Sequence, residues 1–327
     1  IVYAEKVPLY QPFCTSNDPL LDQQWAMENT NVAEMFNLLT NATCDFSTIA
    51  CSEEIVIAVI DDAVRLTHED LAPNIWQNPN EIPNNNIDDD GNGYVDDING
   101  WDAANNDNNP NPDLSIASNN CFTHGTHVAG TIAAVGNNGI GVSGVAWNVQ
   151  LVPIKIFNAA GSTNTITILN AINYAIDNDI KITNNSWGGG GYSQILYNTI
   201  ENAQNTGHLF IAAAGNYGIN NDGNPFYPAS YDLDNIISVA ASDHNDNLAY
   251  FSHYGATSVD IAAPGVSIYS TTMNDTYGYK NGTSMAAPHV AGAAALLWSY
   301  CPNLSFMDVK TMLLDNAINK NRVCIYV

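Results

Sequence analysis

Ser284 follows Gly282-Thr283 in the stretch Asn281-Gly-Thr-Ser-Met-Ala-Ala-Pro-His-Val-Ala-Gly292. It heads an uncharged run, 285–300, dominated by Ala, Leu and Val, which predicts a buried helix. A hydroxyl at that point sits over the positive end of the helix dipole, where an oxyanion is favoured. To become a nucleophile it needs a base. His124 offers one, at the start of a second apolar helical run within Thr123-His-Gly-Thr-His-Val-Ala-Gly-Thr131. Upstream, Glu54-Ile-Val-Ile-Ala-Val-Ile-Asp-Asp62 reads as a β-branched strand that ends in Asp61 and Asp62. A fourth piece, Phe210-Ile-Ala-Ala-Ala-Gly-Asn216, is an apolar strand that delivers one carboxamide. Singly, such residues are ordinary: a Ser after Gly-Thr caps helices, and a His on an alanine-rich helix is a hydrogen-bonded core residue. Together, Asp61, His124, Ser284 and Asn216 are the parts of a nucleophilic acyl-transfer site.

The elements that must position them alternate. Strands are predicted near 55–61, 149–157, 180–186, 208–214, 235–241 and 258–262. Helices are predicted near 125–135, 164–178, 192–206, 285–300 and 305–317. Apolar strands separated by helices argue for an α/β fold in three layers, a central parallel β-sheet flanked by helices. The candidate residues fall at strand ends and helix starts, where open α/β sheets place their sites.

The chain order Asp61, His124, Ser284 is the subtilisin order, and the four blocks resemble the subtilisin-like serine proteases, the subtilases. Asn184-Asn-Ser-Trp-Gly-Gly-Gly190, Tyr227-Pro-Ala-Ser-Tyr231 and Asp260-Ile-Ala-Ala-Pro-Gly265 extend the likeness over roughly 54–300, most of the chain. The resemblance implies Asp61 as the residue that orients the histidine, His124 as general base, Ser284 as nucleophile and Asn216 as oxyanion-hole amide. It implies an extended polypeptide substrate paired with backbone near Gly161 and Ser186-Trp187-Gly188. The primary pocket would be walled by those last three, by Ala213-Ala214-Gly215 and by Phe226; small apolar walls suit an apolar P1 residue and broad specificity. One departure stands out: Asp61-Asp62-Ala63 replaces the Asp-Thr-Gly or Asp-Ser-Gly of many subtilases. Ala63 asks that turn to avoid positive φ.

Calcium is the expected cofactor. Residues 81–113 hold nine acids and no Lys or Arg, a density that calls for a cation. Asp88, Asp90, Asn92 and Asp96, with the Tyr94 carbonyl, repeat the oxygen spacing of an EF-hand loop. A second alternating set, Asp102, Asn105, Asp107, Asn109 and Asn111, is similar to a calcium loop of thermitase-like subtilases. A third site is implied by family resemblance: Asp70 with the Asn138 side chain and the carbonyls of Val135, Ile140 and Val142. Zinc at His124 and His127 is excluded by spacing, since no His-Glu-x-x-His or third ligand is present. His127 and His289 are read as structural. Gly139-Ile-Gly-Val-Ser-Gly144 fits G-x-G-x-x-G but follows a helix and precedes a strand, the reverse of a dinucleotide loop, and is read as a turn.

The chain has 327 residues, 46% of them apolar, enough for one large catalytic body, 55–327. An insertion at about 72–120 would carry calcium, 301–327 would close the body with a helix and tail, and 1–54 would form an arm wrapped on it. Only 8 Lys and Arg stand against 33 acids, a net charge of −25, so nucleic-acid binding is ruled out. No run of 18 apolar residues is present, so no membrane helix is expected. The first residue is Ile, and the resemblance implies a secreted, extracellular, processed enzyme with its own propeptide as inhibitor and chaperone, acting as a monomer. The six cysteines suggest three disulfides, read as Cys44–Cys51, Cys301–Cys324 and Cys14–Cys121.

Two rival readings are an inactive protease fold kept for binding and a lipase-like hydrolase. The intact set of four residues opposes the first. The absence of a strand-to-helix G-x-S-x-G elbow around Ser284 opposes the second.

Overall fold

The computed structural model describes residues 16–30, 55–116, 121–320 and 323–325. Most of the expected arm, with Cys14, Cys44 and Cys51, lies outside these residues. Helix α1 (Trp25–Asn29) is followed by strand β1 (Val56–Asp61) and a short β2 (Trp101–Asp102). Then come α2 (Gly125–Ala133), β3 (Gln150–Lys155), α3 (Thr165–Asp177), β4 (Ile182–Asn185), α4 (Gln194–Asn205), β5 (Leu209–Ala213) and β6 (Ile236–Ser242). The chain continues through β7 (Ile261–Pro264), a hairpin β8 (Ile268–Thr272) and β9 (Thr276–Lys280), α5 (Thr283–Tyr300), α6 (Phe306–Asp315), β10 (Ile318–Lys320) and β11 (Val323–Ile325).

All six expected strands and all five expected helices form. They build one sheet of order β10-β11-β7-β6-β5-β4-β1-β3-β2, parallel throughout except for the β10–β11 edge pair. β1 lies between β3 and β4, in register with β3 through Ala58↔Val152 and with β4 through Ala58↔Thr183.

Strand periodicity sorts the core into two layers. In β1, Ile57 and Val59 face one side and Ala58 and Ile60 the other; Leu209 and Ile211 against Phe210 and Ala212 repeat this in β5. The first side is covered by α2, α5 and α6, through residues such as Val128, Ile132, Val290, Ala294 and Leu313. The second is covered by α3 and α4, through Ile172, Ala175, Leu196 and Ile200. Both faces of the sheet are therefore dry, which explains strands that read as continuous apolar runs. α3 and α4 carry their own N-caps, Asn164 accepting from Thr167 N and Ser193 accepting from Leu196 N; α6 carries a capping box of Ser305 and Asp308.

Residues 16–30 lie on this body. Leu20 N–H donates to the Gly141 carbonyl at 2.9 Å, Gln24 exchanges hydrogen bonds with Ser143, and the Trp25 indole donates to Val266 O at 3.0 Å. Cys121 and Cys301 are free thiols here, and the side chain of Cys324 lies outside the description.

Candidate active site

The two helices that bear His124 and Ser284 differ from α3, α4 and α6: neither is capped by its own N-cap side chain. Their caps come from loops at the carboxyl ends of sheet strands. The Asp62 carboxylate accepts His124 N–H at 3.0 Å and Gly125 N–H at 2.7 Å, closing the first turn of α2. The Asn216 carboxamide oxygen accepts Thr283 N–H at 2.8 Å and Thr283 Oγ1 at 3.0 Å, closing the first turn of α5. Each helix start is thus fastened to a strand end, β1 for the histidine and β5 for the serine, satisfying otherwise orphan N–H groups. Ala63 fits its turn without positive φ. Gly282, at φ +151°, makes a bend that a β-carbon would oppose, just ahead of the nucleophile.

His124 is oriented from behind. Its Nδ1 lies 2.8 and 3.0 Å from the two oxygens of buried Asp61, so Nδ1 carries the proton and Nε2 is left as the base. Ser284 Oγ donates to the Ser186 carbonyl at 3.1 Å in this state rather than to His124. Hydrogen bonds between nucleophile and base are commonly long or absent in a free site and tighten on substrate binding. The helix itself frees a partner for the cleft wall. Pro288 lacks the N–H that would bond the Ser284 carbonyl within α5, and that carbonyl instead accepts Ser186 Oγ at 2.9 Å.

With its oxygen committed to Thr283, the Asn216 amide presents its NH₂ group toward the Ser284 backbone N–H. A β-carbon built on Gly282 would be 3.5 Å from Asn216 Nδ2 and 3.5 Å from Ser284 N. Both donors thus lie near Gly282, just ahead of the hydroxyl, and are the types of group that stabilise a tetrahedral oxyanion.

Burial opposes a charged His124, but the Asp61 carboxylate, its hydrogen bond and then the Asp62 charge outweigh it. Lys280 acts against them, and the net result lies above the ordinary histidine value. Asp62 is itself pushed up to about 6, first by burial and then by the Asp61 charge. Only a neutral imidazole accepts a proton, so kcat/KM is expected to climb through a midpoint above 6.5 and to vanish as pH falls below it. Asp62→Asn removes a negative charge that favours the imidazolium and should shift this limb to lower pH. A pH profile of kcat/KM checks both; a limb unmoved by Asp62→Asn contradicts the assignment.

The stretch Ser186-Trp187-Gly188 divides the cleft. On the histidine side, a space of about 290 Å³ is bounded by Asp61, Asp62, Cys121, His124, Phe157 and Gly161. On the serine side, a space of about 540 Å³ is bounded by Ala213, Gly215, Asn216, Tyr217, Phe226 and Ser284. Of the expected wall residues, Ala214 alone does not line it. It is fully buried, its N–H bonded to Val239 O and its carbonyl taken by Asn221. His127 and His289 are structural, as expected. Burial pushes them down to about 3 and about 4, and each ring is fixed by backbone carbonyls, Ile268 O and Gly278 O for His127 and Met285 O for His289.

The three expected calcium sets fare differently. Asp70 is fully buried, held by Asn138 Nδ2 and Val142 N–H, each at 2.8 Å, with the 135–142 loop wrapped round it. Burial raises its pKa. The carbonyls of Val135, Ile140 and Val142 accept no hydrogen bond among the described residues. A buried carboxylate held by a loop that carries three carbonyls without a described partner is a donor set that fits a calcium ion. The acidic insertion also gathers a donor set, though not the one its spacing suggested. Glu81, Asp90 and Asp97 bring their oxygens within 4.8 Å of one another, with Asn92 against Asp90 and Asp97. Asp97 is pushed up to about 6, mainly by burial. Asp88 instead turns inward to Gly91, Asn92 and Gly93 N–H, and Asp96 takes Asn85 and Asn86 N–H.

At the remaining set the cation is already a side chain. Asp102 accepts from buried Lys155 Nζ at 2.6 Å, from Ala104 and Asn105 N–H, and from Asn105 Nδ2, so its carboxylate is filled. Asp107 takes Asn109 N–H, serving a turn, and Asn111 takes the distant Leu66 N–H. This donor set does not fit a metal. The residues that sequence reasoning missed are Thr283, Glu81 and Asp97, and the capping role of Asp62. A Thr directly before the nucleophile and a Glu seven residues ahead of Asp88 were visible, but only contact gives them a partner.

The subtilase family model matches residues 52–324. Subtilisin DY of Bacillus licheniformis is 47% identical over 60% of this chain and 70% of its own length. A thermophilic serine proteinase of Bacillus sp. strain AK1 is 38% identical over 91% of this chain and 63% of its own. Among solved structures, a protease of Pseudoalteromonas arctica aligns with a TM-score of 0.72 at 28% identity, covering 95% of this chain and 94% of that one.

Proposed function

The chain belongs to the subtilase family, the serine endopeptidases of subtilisin type, and on that premise we propose that it cuts polypeptides of broad sequence through an acyl-enzyme on Ser284. The observation that carries this reading is the pair of cross-caps. Asp62 on α2 and Asn216 on α5 bring base, nucleophile and two oxyanion donors to one cleft. An extended substrate lies along Ser186–Gly188, its P1 side chain in the serine-side space and the preceding residues toward Gly161. Ser284 Oγ attacks the carbonyl as His124 Nε2 takes its proton. Asn216 Nδ2 and Ser284 N–H hold the oxyanion, and His124 returns the proton to the leaving amine. Water then releases the acyl group by the same steps. Gly188, Ala213, Gly215 and Phe226 give this space apolar wall, which favours an apolar P1 residue.

Phenylmethylsulfonyl fluoride should abolish cleavage of peptides and casein with addition of one sulfonyl group to the tryptic peptide that contains Ser284. Cleavage of simple esters with none of casein would oppose the reading.

Calcium would be held at Asp70 with the 135–142 loop and at Glu81, Asp90 and Asp97, tying loops to the body and neutralising buried acids. Chelation by EDTA is expected to lower the thermal midpoint by about 5 °C or more, and added calcium to restore it. This corresponds to the roughly 2–3 kcal/mol that a ligand at 100 times its Kd contributes. An unchanged midpoint and autolysis rate would oppose it. We further read residues 1–54 as an arm on the catalytic body, and the protein as a secreted monomer that matures from a self-inhibited precursor. The docking of residues 16–30 and the family resemblance support this, and no described helix is long and apolar enough to cross a membrane.

A further inference from the structure

Asn216 follows Ala214 and Gly215, which continue the chain past the end of β5. From α5, Thr283 Oγ1 accepts the Gly215 N–H at 3.1 Å. A second residue, His253, holds the same glycine. Its N–H donates to the Gly215 carbonyl at 2.9 Å. Its ring lies so close to Gly215 that an added β-carbon would stand 2.5 Å from Nδ1 and 2.6 Å from Cε1. With φ at +116°, Gly215 is a bend that glycine makes readily, and the imidazole fills the space a side chain would take.

Buried Asn221 locks the ring. Its Nδ2 donates to the Ala214 carbonyl at 3.0 Å, which leaves its Oδ1 to accept from His253 Nδ1 at 2.8 Å. Nδ1 therefore carries the proton. Nε2 is buried with no hydrogen-bond partner among the described residues, so the polar tie of the ring is the one to Asn221. Burial, opposed by the Ala214 carbonyl, holds the ring below the ordinary histidine pKa and keeps it neutral wherever His124 is. Phe226 meets the ring edge-on, with centroids 5.1 Å apart. The backbone on either side is fastened as well: Gly218 N–H donates to Phe251 O and Asn221 N–H to Tyr254 O, each at 2.7 Å. His253 itself bounds neither space of the cleft.

We propose that His253 is a positioning residue for the oxyanion amide. Its ring and its bond to Asn221 fix Gly215 from behind, so that Asn216 Nδ2 stays aimed while charge builds on the substrate carbonyl. This rests on the proteolytic reading above and deepens it. A misplacement of about 1 Å can cost on the order of 10²-fold in rate, so a buttress that never touches substrate can still control kcat. Without the imidazole, Gly215 gains free space behind it and the buried Asn221 Oδ1 loses its donor.

Steady-state kinetics on a peptide p-nitroanilide test this, with the thermal midpoint as the check on folding. His253→Leu keeps bulk and loses the donor. His253→Gln keeps an amide but sets it at the reach of Nε2 rather than Nδ1. Each is expected to lower kcat by at least about 10-fold with KM changed by less than about threefold. The pair guards against a fold lost in one of them. His253→Asn places its amide where Nδ1 stands and should keep kcat within about threefold of wild type. In an Asn216→Leu background the Leu and Gln substitutions should change kcat by less than about twofold, because no amide is left to position. Wild-type kcat in whichever of the two variants folds would overturn the proposal, as would an equal fractional loss with and without the Asn216 amide. So would a His253→Asn variant as slow as the other two. A wild-type enzyme that cleaves no peptide would instead overturn the proteolytic reading, and this inference with it.

Discussion

Replacing Ser284 by alanine is expected to lower kcat on a peptide substrate by about 10⁶-fold with KM changed by less than about threefold. The size is that found for the nucleophile of subtilisin, and the split follows from the geometry here. The hydroxyl makes one hydrogen bond, to Ser186 O, and the second tie to that wall residue, Ser186 Oγ on the Ser284 carbonyl, is kept by alanine. Alanine keeps the β-carbon and the helix, so the substrate binds as before and only the covalent route is lost. The oxyanion donors survive, so a residue of about 10³–10⁴ over the uncatalysed reaction should persist. Adding His124→Ala should then cost almost nothing more, because a base without its nucleophile has no proton to take. Steady-state kinetics on the single and double variants decides. More than about one per cent of wild-type kcat in Ser284→Ala would place the chemistry elsewhere.

Asn216→Leu is expected to lower kcat by about 10²–10³, the size found for this amide in subtilisin. In this chain it should also reduce stability by about 1 kcal/mol, because the Asn216 oxygen is the only cap that α5 receives at Thr283 N–H. Asn216→Asp separates the two functions. It keeps an oxygen for Thr283 and so should keep the thermal midpoint, yet it faces a developing oxyanion with a negative charge and should lose at least as much kcat. Parallel measurement of kcat and thermal midpoint tests the pair. Equal loss of stability in both variants would show that Asn216 Oδ1 is no cap. Wild-type kcat in Asn216→Leu would show that Nδ2 is no oxyanion donor.

The catalytic set and the layered fold were legible in the chain itself because their signals are local. A β-branched run needs no partner to declare a strand, and an uncharged alanine-rich run needs none to declare a buried helix. Asp61, His124, Asn216 and Ser284 each sit at the end or start of such an element, so their meeting at the carboxyl edge of a parallel sheet follows from topology. The calcium spacing misled for the opposite reason. Asp and Asn in a loop cap backbone as readily as they bind metals: Asp88 and Asp107 accept N–H groups just downstream, while Asp96 and Asn111 accept more distant ones, from Asn85 and Leu66.

Pairings between distant residues were decided only in three dimensions. Lys155 fills the place expected for a cation at Asp102, from 53 residues away. Glu81 and Asp97 join Asp90 because the insertion folds back on itself. The order of residues along the chain settles which backbone groups hydrogen-bond locally and which faces are apolar. Burial of charge and the closing of a pocket depend on what arrives from elsewhere, so the chemistry of this protein was written in its sequence while its selectivity and cation sites awaited the packing.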